Sequence, residues 1–134
     1  MITAIEFEGQ WCQYSADNPA LPVLVKGGGI QWVAWGRSFQ QGGPAPLGRW
    51  LRLEDLKDGL AKAHERRAVK VPASRFWMHR EDNLRIVEVP FGSFLQAIVM
   101  RVDPDDALAL VAYIVNVPAE PPNDALCDRW PRIV

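Results

Sequence analysis

ALPVLVKGGGIQWVAWG, residues 20–36, sets β-branched and aromatic residues on both sides of three consecutive glycines. Residues of that kind fit a pleated, half-buried surface, and glycine accepts the positive φ angles that a tight reversal needs. The stretch therefore predicts two antiparallel strands joined by a glycine turn. It is not a phosphate loop. No Gly-Lys-Ser or Gly-Lys-Thr follows the glycines, and a strand comes next where a phosphate cradle needs a helix amino terminus.

Working outward, QQGGPAPLG (residues 40–48) reads as a loop by its Gly, Pro and Gln content. Beyond it the spacing changes. Leu53, Leu56, Leu60 and Ala63 recur at intervals of three and four, with Glu54 and Asp55 at the start and Arg66 and Arg67 at the end. These charges complement a helix dipole, so a helix is predicted over about residues 53–67, with Gly59 inside it at a cost of about 1 kcal/mol relative to Ala. Further along, AVKVP, RIVEV, FLQAIVMRV and LALVAYIVNV read as strands, the last two separated by the turn DPDDA at residues 103–107. Many strands and one main helix predict an α+β fold around a compact, mostly antiparallel sheet. At 134 residues, 49% of them apolar and 23% charged, the chain has the size and composition of a single globular domain spanning 1–134.

Two cysteines, Cys12 and Cys127, stand far apart with no paired spacing, so neither a disulfide framework nor a zinc ribbon is indicated. A reduced, cytoplasmic location is expected. The amino-terminal residues MITAIEFEGQW carry no basic cluster, and no apolar run approaches the roughly 18 residues of a membrane span, so no membrane partner is expected. Cys12, His64, His79 and Cys127 share no ligand spacing, and no metal or other cofactor is expected. The serines lack a nucleophile elbow.

Charge and aromatic content point to a polyanion. The formal net charge is −1, yet residues 49–85 hold ten Lys and Arg against six Asp and Glu. Six tryptophans are present, and Trp32, Trp35, Trp50, Trp77 and Trp130 lie close in sequence to Arg37, Arg49, Arg52, Arg75 and Arg129. Indoles interleaved with guanidiniums suit single-stranded nucleic acid, since every base offers a π-face and every phosphate a charge. Core packing uses the same indoles, and a solvated helix face the same charges.

Residues 114–134, IVNVPAEPPNDALCDRWPRIV, resemble the strand and following motif of the SOS-response-associated peptidase (SRAP) family: Thr-Thr-x-Ala, then His-x-Arg-Met-Pro eight residues after the alanine. Ala119 takes the alanine position, Cys127 the histidine, and Arg129 and Pro131 keep the register. VPASRFWMHR (residues 71–80) is similar to the family's Val-Pro-Ala-Asp-Gly-Phe-Tyr-Glu-Trp, following a helix that ends in Arg-Arg; WVAWG is similar to its Arg-Trp-Gly strand, and WCQYS to its opening Met-Cys-Gly-Arg-Tyr-Ser. The resemblance spans nearly the whole chain, with shortened loops. It implies a small barrel-like sheet with a positively charged cleft, single-stranded DNA as partner, and capture of abasic sites in DNA damage and the SOS response.

The same resemblance implies that the family's chemistry is mostly gone. Its nucleophile, an amino-terminal cysteine, falls on Cys12, whose nitrogen is an amide unless eleven residues are removed. Its Asn-x-Arg reads as Leu47-Gly48-Arg49, its glutamate falls on Met78 and its histidine on Cys127, a thiol whose reference pKa lies about two units above imidazole. The leading expectation is a pseudoenzyme that binds single-stranded or junction DNA without covalent cross-linking. In it Arg49 and Arg129 neutralise phosphates, Trp35, Phe76 and Trp77 supply aromatic surface, and Asn116 donates to backbone oxygens. Two alternatives stand beside it: a cross-linking enzyme activated by cleavage before Cys12, and a phage-derived remnant that contacts a protein partner. A reactive Cys127 thiolate, favoured by Arg129 and Arg132, is a further possibility.

Overall fold

A computed structural model describes residues 1–38, 45–57, 66–101 and 109–134. Strands β1 (Ile2–Phe7), β2 (Gln10–Gln13), β3 (Ala20–Leu24), β4 (Ile30–Trp35) and β5 (Trp50–Arg52) come first, followed by helix α1 (Leu53–Lys57). Strands β6 (Arg67–Val71), β7 (Arg75–Arg80), β8 (Asn83–Glu88), β9 (Leu95–Arg101), β10 (Leu110–Pro118) and β11 (Arg129–Pro131) complete the chain.

The glycine-centred hairpin forms as its composition predicts. β3 and β4 pair antiparallel from Ala20↔Ala34 to Leu24↔Ile30, and Gly27 and Gly28 in the turn have φ of 96° and 91°. Around it five strands close a barrel. β4 runs parallel to β10, β10 antiparallel to β9, β9 antiparallel to β6, and β6 returns to β3 through the single pair Leu24↔Lys70. The fold is α+β with a small barrel at its centre.

β9 and β10 read as nearly unbroken apolar runs because both of their faces are covered. Leu95, Ala97, Val99, Ala112 and Ile114 point into the main core, while Ile98, Met100, Val111, Tyr113 and Val115 form a second cluster under Leu51 and Leu56. A strand buried on two sides loses the polar alternation of a half-exposed one.

A separate antiparallel sheet, in the order β2-β1-β7-β8, lays one face on the main core. A bulge at Thr3 shifts the register between Ile2↔Met78 and Ala4↔Trp77. The extra residue lets both Ile2 and Ile5 face inward although they are three positions apart, and both are fully buried.

The helix predicted over residues 53–67 is helical at Leu53–Lys57, with Leu56 buried and Glu54 and Asp55 in its first turn. Its expected last residue, Arg67, instead begins β6, where it pairs with Val99. The pairing of β6 with β9 uses this residue as ladder, so the two arginines end no helix together. Gly59, His64 and the turn at residues 103–107 lie outside the described residues.

Candidate nucleic-acid interface

The residues expected to carry function separate into four places. Trp35 and Arg49 come together, Trp35 in the core and Arg49 half-buried beside it. Trp35 is 1% exposed, its Nε1 donates to the Arg49 carbonyl at 3.0 Å, and Tyr14 packs edge-on against it at 5.5 Å. The Arg49 guanidinium lies 4.4 Å from the Tyr14 ring centroid, and burial pulls its pKa below the ordinary arginine value. Expected as a stacking surface, Trp35 is packing. The reason is strand parity: Val33 and Trp35 share the inward face of β4, whereas Trp32, on the outward face, is 54% exposed.

Asn116 and Arg129 also meet, the guanidinium on the amide oxygen, while Asn116 Nδ2 is buried without a partner among the described residues. Arg129 donates from Nε and Nη2 to Asn116 Oδ1 at 2.9 and 2.7 Å, and from Nη1 and Nη2 to the two Glu54 carboxylate oxygens at 2.7 and 3.2 Å. Arg52 adds a second cation to Glu54 at 3.2 Å. With Arg129 beside it, the Glu54 carboxyl falls from its ordinary 4.5 to about 2. Arg129 was expected on phosphates and Asn116 as a donor to backbone oxygens of DNA. Asn116 is 1% exposed, and the guanidinium of Arg129 is taken up by a carboxylate and an amide within the fold.

Met78 and Cys127, the positions matching the family's glutamate and histidine, line one cleft of about 260 Å³ with Arg80 and Arg85. The α-amine of Met1 reaches the same place, 3.5 Å from Cys127 Sγ and 2.6 Å from the His79 carbonyl oxygen. Cys12 does not. It pairs with Ile5 on the far side of β1 from β7, and burial pushes its thiol pKa up. The two arginines expected to activate Cys127 turn elsewhere, Arg129 to Glu54 and Arg132 to Gln96 at 2.6 Å. Met78 is 2% exposed and carries no proton to exchange. The described residues include no group of three or more His, Cys, Asp or Glu placed to hold a metal ion. No described helix is long and apolar enough to cross a membrane.

The fourth place is the outer face of the four-stranded sheet. β7 alternates, with Phe76 and Met78 buried and Arg75, Trp77 and His79 on the opposite side. Phe76, expected beside Trp77 as aromatic surface, is fully buried and packs edge-on against Trp130 at 5.6 Å. Cross-strand register puts Ala4 and Ile86 beside Trp77, and Leu84 beside His79. Trp77 spans the small Ala4 to meet Trp11 of β2, with ring centroids 4.9 Å apart, and His79 follows at 6.5 Å. The Arg75 guanidinium sits 5.4 Å from the Trp11 ring and is held by Glu6 through two bonds of 3.0 and 2.5 Å. Leu84 and Ile86 on the edge strand are 47% and 52% exposed. The Trp77 Nε1 proton is buried without an acceptor among the described residues, and Thr3 Oγ1 is likewise buried without a partner.

Of the residues sequence reasoning singled out for nucleic acid, Trp77 and the neighbouring Arg75 belong to this face. Trp11 joins it by pairing across β1, a long-range register that local pattern does not reveal. His79 joins it by parity, two positions from Trp77. Comparison of the chain with family models, with curated proteins and with solved structures returns no match.

Proposed function

We propose that the chain is a non-catalytic module that holds single-stranded DNA on the outer face of its four-stranded sheet, a shortened and degenerate relative of the SRAP family. The observation that carries this reading is the aromatic row Trp11, Trp77 and His79. Aromatic side chains presented from neighbouring strands form a platform on which successive bases stack, at about 1–3 kcal/mol per base. Arg80 and Arg85 lie on the opposite face of this sheet, with Met78, and Arg80 donates to the Ala125 and Leu126 carbonyls, so stacking more than charge carries the affinity. Arg75 is neutralised by Glu6, so it contributes a stacking plane more than a free charge.

The absence of cross-linking follows from the groups at the cleft. Abasic-site capture needs an amine attack assisted by proton transfer. The two matching positions offer a buried thioether and a thiol. Activation by cleavage before Cys12 is disfavoured for a separate reason: it would remove β1, which lies between β2 and β7 and holds Ile2 and Ile5 in the core.

Quenching of intrinsic tryptophan fluorescence on titration with an oligothymidylate tests the site. The Trp11→Ala/Trp77→Ala variant is expected to lose both the quenching and the binding. Unchanged affinity in that variant would remove the proposal.

A further inference from the structure

The barrel has one weak seam. β3 is joined to β4 by five residue pairs and β6 to β9 by five, but β3 meets β6 at the single pair Leu24↔Lys70. Extending that register would set Val25 opposite Val69. Val25 is not available, because its N–H donates to the Gly29 carbonyl at 2.9 Å and its carbonyl accepts from Gly28 N–H at 3.0 Å. The turn that builds the hairpin thus draws its tip away from β6. What remains is a cleft of about 520 Å³ whose apolar lining includes Leu24, Val25, Ala68 and Val69, with the exposed cations Arg67 and Lys70 beside them.

The chemistry of this cleft is one-sided. No carboxylate is among the described residues that line it, and neither Arg67 nor Lys70 makes an ion pair with a described residue. Lys70 lies 5.2 Å from the Phe94 ring centroid, and Lys26 is exposed at the hairpin tip. A strand edge that lacks a neighbour offers alternating N–H and C=O groups. Main-chain pairing on such an edge gives affinity, and side-chain pockets on alternate residues give specificity.

We propose that this seam is a docking site for an extended acidic peptide strand of a partner protein, one that alternates apolar and carboxylate side chains. Its apolar residues cover Val25 and Val69 on one face, its carboxylates meet Lys70 on the other, and its backbone adds to β6. A peptide fits better than a nucleic acid here, because a phosphodiester chain offers no amide donors to a strand edge. The site is separate from the aromatic face and does not depend on the nucleic-acid reading.

Anisotropy of a fluorescein-labelled peptide of alternating valine and glutamate, titrated with the full chain, tests this. Saturable binding is expected, weakened by about tenfold or more in Lys70→Glu, unchanged in Trp11→Ala/Trp77→Ala, and lost when the peptide is N-methylated on alternate residues. The wild-type comparison with a valine–lysine peptide, expected not to bind, stands even if the charge-reversed variant fails to fold. Failure of the acidic peptide to bind would overturn the proposal. So would equal binding of the basic or N-methylated peptide, or displacement by an oligothymidylate, which would give the cations to nucleic acid.

Discussion

Arg129 grips Glu54 across 75 positions of sequence, with Nη1 and Nη2 each on a different carboxylate oxygen. The pair ties β11 to the first turn of α1, and Asn116 on β10 completes the arginine's partners. A side chain that reads in sequence as a phosphate contact is a brace between elements.

The brace predicts a pH dependence. Glu54 has a folded pKa of about 2 against an ordinary 4.5, so between those values the unfolded chain binds more protons than the folded one. The stabilisation is complete above about pH 4.5 and is lost as pH falls toward 2. Glu6, held low by Arg75, acts in the same direction. Urea midpoints measured through this window should drop with acid, and Glu54→Gln should flatten the drop. An equal slope in wild type and variant would refute the assignment.

Trp35→Ala should destabilise by about 3–5 kcal/mol, the usual cost of emptying a core aromatic site. The change also removes one of two donors to the Arg49 carbonyl, leaving the Ile114 N–H at 3.1 Å. Trp77→Ala should cost less stability and more binding. Chemical denaturation of the two variants side by side separates packing from platform.

Gly36→Ala is expected to be among the most harmful small substitutions. Gly36 has φ of 68°, and a Cβ there would run into the Gly48 carbonyl and stand 2.9 Å from Arg49 Cα and from the Tyr14 ring. Backbone strain alone is on the order of 1–3 kcal/mol, and the neighbours are main chain that cannot yield cheaply. A thermal melt within a degree or two of wild type would contradict this.

Incubation with single-stranded DNA carrying one abasic site should leave no shifted band on a denaturing gel. A chain starting at Cys12 should in addition fail to unfold cooperatively, since it lacks the three fully buried residues Ile2, Ala4 and Ile5. A covalent band from the full chain that disappears on blocking its α-amine would show that Met1, beside Cys127, performs the chemistry assigned above to none of these groups.

Local pattern made much of the fold legible. The hairpin announced itself because its turn needs glycine, and β9 and β10 because covering both faces leaves only apolar residues. β1 and β2 were missed, since the bulge at Thr3 breaks the period-two signal and β2 is short. The site was less legible for a related reason. In RFWMHR the alternation is visible, but nothing local says whether Phe76 or Trp77 faces the core; the pairing of β7 with β1 decides it. Arg129 shows the same limit, because its carboxylate partner is remote in sequence.

The most direct test of the aromatic platform is an anisotropy titration of a labelled oligothymidylate across a range of salt, with wild type and Trp77→Ala. The guanidinium described on this face, Arg75, is neutralised by Glu6, so the slope of log K against log salt should be shallow, no steeper than about −0.7, the value for one phosphate. Trp77→Ala should lower affinity by about 1–3 kcal/mol at every salt concentration and leave that slope unchanged. No binding at low salt, or identical affinities for wild type and Trp77→Ala, would contradict the account.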